Sequence, residues 1–152
     1  MFAAVWAVLG AAGLSPRWRV LAKTLSCAIS FLGIAAVLTA RHFAQPAGVF
    51  RGGIYTGAVI YEAIFITLAV ASLRRFGAVQ YILPVIGLIV GLHFLGLWRA
   101  TDNMTFIWTA IGMCAVSLVA LLLLPAGLTA ARRAVAGFGC ALVLWATALL
   151  RG

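Results

Sequence analysis

The sequence predicts an all-α fold, a polytopic transmembrane helix bundle of six membrane segments with the first one short, and three observations predict it. Hydrophobic residues make up 66% of the 152-residue chain and charged ones 9%, against roughly 45–50% and about 25% in soluble domains. Apolar runs near the length of a bilayer crossing recur along the chain, since a hydrocarbon core of roughly 30 Å takes about 20 helical residues. The breaks between them are short and hold most of the basic residues. Eleven Lys and Arg with two acids cannot cover a soluble body of this size with charge, so lipid is the solvent for most of it.

The first run, Phe2–Leu14, is closed by Ser15-Pro16 and reaches roughly 20 Å as a helix. It reads as a short or tilted span, a half-inserted helix, or what remains of a longer segment whose start lies further upstream. A cleaved signal peptide is the alternative, suggested by Ala11-Ala12-Gly13, but the run lacks a basic n-region. Cleavage would also leave Arg17, Arg19 and Lys23 on the exported side, against the positive-inside tendency. The five longer runs are Val20–Ala40, Ile54–Leu73, Tyr81–Trp98, Met104–Pro125 and Ala134–Leu150. Five spans are the fallback if the first does not cross. The loops between the runs are too short for an extramembrane domain, so residues 1–152 read as one transmembrane domain with consecutive helices antiparallel.

Charge sets the orientation. One set of alternate breaks carries Arg17, Arg19, Lys23, Arg74, Arg75, Arg132 and Arg133, seven in all, and the other carries Arg41, Arg51, Arg99 and Arg151. The richer set is expected to face the cytoplasm. With six spans both termini lie outside; with five the N-terminus is cytoplasmic. The net charge of +9 is spread in ones, twos and threes between apolar runs, which marks membrane orientation and not a nucleic-acid surface. Trp98, Trp108, Tyr55 and Tyr81 fall near expected helix ends, where aromatic belts form.

Glu62 is the acid inside an apolar run, near the middle of its helix, and a charge there is expensive. It needs a partner. His93 is the histidine inside a run, and the short Arg74–Gln80 break joins the two helices. Counted from that break, Glu62 and His93 lie at the same depth, roughly 17 Å in. The hairpin therefore allows them to face each other and to exchange one proton near neutral pH. The plainer reading is a single polar link between two helices. Tyr61 adjoins Glu62 but points about 100° away and reads as packing. Phase is the open variable: Glu62 shares a face with Tyr55, Ala58, Ile66 and Ala69, and His93 with Ile86, Ile89 and Leu97.

Gly53 and Gly57 on one helix, and Gly87 and Gly91 on the next, have small-x-x-x-small spacing, which lets backbones approach closely. They are candidate helix-packing residues. Gly57 lies about 140° round from Glu62 and Gly91 about 160° from His93, so these stripes can serve other neighbours. Pro84 and Pro125 sit near helix ends and read as boundaries or bends.

Several chemistries find no residues. Cys27, Cys114 and Cys140 are far apart in apolar runs, which argues against a disulfide framework, a zinc site and quinone-linked thiol oxidation. The chain lacks paired intramembrane histidines for haem, a mid-helix lysine for a retinal Schiff base, and the acid and histidine ligands of di-iron or metalloprotease sites. Ser30, Ser72 or Ser117 could be joined to His93 as a nucleophile only without an elbow motif or oxyanion donors. A single His93 is thin support for holding a chlorophyll magnesium. No catalytic residue, metal or cofactor is expected.

The segment Pro84 and Gly87-Leu88-Ile89-Val90-Gly91-Leu92-His93-Phe94-Leu95 resembles the signature helix of a broad group of uncharacterised small bacterial multipass membrane proteins. That group has about six helices, a Gly-Leu-His-Phe segment in the fourth and a polar position near Arg99. Gly96 departs from it, where the group often has proline. The resemblance implies a multi-pass protein of a bacterial inner membrane and a distinctive histidine, and carries no activity. Glu62, followed by Thr67 and Arg74-Arg75-Phe76-Gly77, is more distantly similar to small multidrug exporters. Those have four helices with the acid in the first, so the likeness is one of mechanism only. Two functions are thus expected: binding or moving a small solute or proton at Glu62 and His93, or a non-catalytic subunit or assembly factor in a larger membrane complex. Its partners would be the lipid bilayer, further copies of the chain or other membrane subunits, and not nucleic acid.

Overall fold

The computed structural model describes residues 2–40 and 50–149, and the regular structure among them is helical throughout. The elements are α1 (Phe2–Ala11), α2 (Pro16–Ala40), α3 (Gly52–Arg75), α4 (Ile82–Thr101) entered through a 3-10 turn at Val79–Tyr81, α5 (Thr105–Leu122) and α6 (Thr129–Leu149). Among the described residues, four stretches are long and apolar enough to cross a membrane: Gly52–Arg75, Val79–Thr101, Thr105–Leu122 and Thr129–Leu149. The helix α1 has 10 residues and spans about 15 Å, half the hydrocarbon thickness.

The helix ends differ from the apolar runs wherever a charge lies inside a helix. The helix α2 begins at Pro16, so Arg17, Arg19 and Lys23 belong to it and not to a loop. Proline suits a first helical turn because its missing N–H would be unsatisfied there anyway, and the Ser15 carbonyl accepts the first bond, from Arg19 N–H, at 2.9 Å. The helix α6 begins at Thr129, five residues before the expected start, and takes in Arg132 and Arg133. The helix α4 runs on to Thr101 and stops at Asp102, whose φ of 53° is left-handed and whose N–H donates to the Trp98 carbonyl at 2.7 Å. The helix α5 stops at Leu122, three residues ahead of Pro125, because the residues leading into proline are pushed out of helical geometry. Arg41, Arg151 and the last residue of the expected final span, Leu150, lie outside the described residues.

The core is made by α1, α4, α5 and α6, around Trp6, Ala7, Met113, Cys140 and Ala141. The first helix packs along the last. At their crossing a Cβ added to Gly10 would lie 3.0 Å from the Gly137 Cα, a backbone approach that only glycine permits. Thr109 and Thr147 join α5 to α6 through a 2.8 Å hydroxyl bond. The helix α3 stands outside this core. Its substantial contacts are with α4 and the 3-10 turn, and none of its residues is buried.

Arg132 is a correction to the loop assignment, for its side chain is buried. Its Nε donates to the Ala120 carbonyl at 2.9 Å, its Nη2 donates to the Leu124 carbonyl, and its guanidinium lies 4.3 Å above the Tyr81 ring. The last carbonyls of α5 have no partner within the helix and form its negative end, so a planar cation with several donors caps them well. Arg132 thus ties the end of α5, the start of α6 and the turn before α4 together.

Candidate functional site

The hairpin of α3 and α4 is closed at both ends. At one end the chain turns through Phe76–Ala78, with Gly77 at φ 69°, into the 3-10 turn. At the other, Arg51 N–H donates to the Ala100 carbonyl at 2.9 Å and the Arg51 guanidinium lies 3.4 Å from the Asp102 carboxylate. Between these ends the helices are antiparallel and in step, which sets residues of equal depth side by side.

Glu62 and His93 meet there. The His93 Nδ1 is 3.1 Å from the Glu62 Oε2, and the side chains are only 11% and 22% exposed. The separation is that of an ion pair, and the buried Nδ1 has no other polar partner among the described residues. A carboxylate out of water without a partner is costly. The helices approach closely next to this pair, where a Cβ on Gly96 would come within 2.6 Å of the Ala58 Cβ. Ala58 is one turn from Glu62, and Gly96 is three residues from His93, so the missing side chain at 96 is what lets the two polar groups come within reach.

Around the pair lies a groove of about 310 Å³ whose walls also include Tyr61, Phe65, Ile89 and Leu92. The surface is apolar apart from the pair and the Tyr61 hydroxyl. Its residues fall between positions 58 and 65 of α3, about 9 Å from one end of that helix and about 15 Å from the other. No residue of α3 is buried, so the groove lies at the edge of the bundle, partway along the hairpin.

The glycines are divided between two surroundings. Gly87 and Gly91 face α5: a Cβ at Gly87 would strike the Ser117 hydroxyl, and one at Gly91 would lie 2.8 Å from the Cys114 Sγ. Among the described residues, Gly53 and Gly57 have nothing within 4 Å of where a Cβ would stand. The two stripes therefore do not meet each other. Ser117 is buried in the core beside Cys140 at 3.9 Å, and Ser72 is exposed near the end of α3; the side chain of Ser30 lies outside the described residues. Among the described residues no three His, Cys, Asp or Glu side chains come together. Comparison with known proteins finds no matching family model, curated protein or solved structure. The chain is a multi-span helical protein suited to the lipid bilayer, with a Glu62–His93 pair between two of its helices.

Proposed function

We propose that this protein binds or moves a small solute or a proton at Glu62 and His93, within a six-segment bundle whose more basic helix ends face the cytoplasm. The observation that carries this reading is the placement of the pair in the wall of a groove. A link that serves packing alone needs no space beside it. Here the wall of the groove holds a carboxylate and an imidazole side by side, two groups between which one proton can pass. Entry is from the bilayer, so a solute that uses this site must itself be soluble in lipid. The test is uptake by proteoliposomes holding the full chain under an imposed pH gradient, run across a panel of lipid-soluble amines, alcohols and acids. A flux above that of empty vesicles that disappears in Glu62→Gln and in His93→Asn supports the reading. A flux unchanged by both substitutions overturns it.

A second reading, a subunit of a larger membrane complex, is favoured by the open space at Gly53 and Gly57 on a helix with no buried residue. Under it, stoichiometric partner chains co-purify in mild detergent and are lost on Gly53→Ile with Gly57→Ile. Retention of the same partners by that double variant would remove this reading.

A further inference from the structure

We propose that the first three turns of α2 form a binding site for an anionic phospholipid, with the acyl chain along Trp18, Leu21 and Leu25 and the phosphate between Arg17 and Arg19, which flank the groove at its charged end. Leu14, Trp18, Leu21, Ala22 and Leu25 line a second groove, of about 350 Å³, with no polar wall. Trp18, Leu21 and Leu25 recur at helical spacing on one face of α2, and all three are exposed, Trp18 to 63%. The groove therefore runs along the helix from its charged end toward the membrane interior, as an acyl chain does.

The charge around it needs an external partner. Arg17 is exposed; Arg19 donates to the Leu14 carbonyl at 3.1 Å through Nη2, which places its guanidinium beside a residue that lines the groove. The chain has two acids, and both are engaged elsewhere: Glu62 lies beside His93 in the middle of α3, and Asp102 beside Arg51 at the opposite end of the bundle. No acid occurs in the first turn of α2, so two arginines stand at the positive end of a helix dipole without a carboxylate to offset them. A phosphate joined to an apolar tail supplies the missing anion and fills the apolar groove together. Juxtamembrane basic residues draw anionic lipid in this way, and Trp18 sits at the level where an indole anchors in the interface. A soluble anion would use the charges and leave the groove empty.

The full chain in nonionic detergent is titrated with phosphatidylglycerol or phosphatidylcholine carrying brominated acyl chains, and tryptophan quenching is read. The expected result is a saturable quenching phase with the anionic lipid alone, absent in Trp18→Phe. In Arg17→Gln the half-saturating lipid concentration should rise about fivefold, and in Lys23→Gln, on the far side of the helix from the groove, it should stay in place. Arg74→Gln with Arg75→Gln should leave it in place, and soluble glycerol phosphate should not displace the lipid. Equal quenching by the zwitterionic lipid, persistence of the phase in Trp18→Phe, or an equal loss in the Arg74/Arg75 variant would overturn the proposal. So would displacement by glycerol phosphate, or a detergent-stable dimer that shields Trp18.

Discussion

Replacing Glu62 and His93 together by apolar residues is expected to cost less than replacing either alone. Two unit charges 3.1 Å apart attract by about 5 kcal/mol at an effective dielectric constant of 20, and that is a ceiling, because desolvation of both groups opposes it. Measured couplings between polar side chains in membrane helices average about 0.6 and reach about 1.7 kcal/mol. With side chains 11% and 22% exposed, this pair belongs at the upper end, about 1.5 kcal/mol. Glu62→Met strands the imidazole and His93→Leu strands the carboxylate, each at about 1–3 kcal/mol. The double variant strands neither and should lose under about 1 kcal/mol. The assay is unfolding of all four proteins in mixed micelles with increasing denaturing detergent, analysed as a double-mutant cycle. Losses that add within about 0.3 kcal/mol would show that the two groups do not feel each other.

Four further outcomes follow from particular contacts. Gly96→Leu should push α3 from α4 at the Ala58 contact and abolish the Glu62–His93 coupling, read by repeating the cycle in that background. Arg132→Met leaves the Ala120 carbonyl of α5 and the Leu124 carbonyl of the turn after it without this donor and should destabilise by about 3 kcal/mol, with Arg132→Lys recovering less than half because it lacks the planar fork; the same unfolding assay measures both. Disrupting the exposed Arg51–Asp102 pair should cost at most about 1 kcal/mol and less at high salt. In a Cys27→Ala background, cysteines at positions 78 and 126 should label from one side of the membrane and one at 103 from the other; labelling of all three from one side would contradict the hairpin order.

The fold class was legible because composition alone rules out water as the main solvent, and because the runs Ile54–Leu73 and Tyr81–Trp98 lie within α3 and α4 with its turn. Equal depth of Glu62 and His93 was legible too, since a short loop between antiparallel helices forces the count. Their rotation was not, because a helix can turn about its axis at no change in sequence spacing. The contact at Gly96 and Ala58 fixed it. Gly96 stood out in the sequence as a departure from proline, yet nothing in spacing says which helix a lone glycine meets. The charged ends of α2 and α6 look like loops in the sequence, since a run of apolar residues is broken by Arg17, Arg19 or Arg132 whether or not the helix continues through them. The closing of α1 on α6 through Gly10 and Gly137 joins the two ends of the chain, a pairing that local patterns do not carry.

Whether Glu62 is open to the bilayer and able to take a proton decides between a working site and a dry link, and carbodiimide modification reports on both. A lipid-soluble carbodiimide reacts with a protonated carboxyl it can reach from the membrane, while a water-soluble one reacts only with carboxyls facing the aqueous phase. Mass spectrometry of the full chain in vesicles should find the adduct on Glu62 with the first reagent and not the second, and His93→Asn should change its rate. No adduct on Glu62 with the lipid-soluble reagent, while Asp102 is modified by the water-soluble one, would contradict a solute- or proton-handling site at this pair.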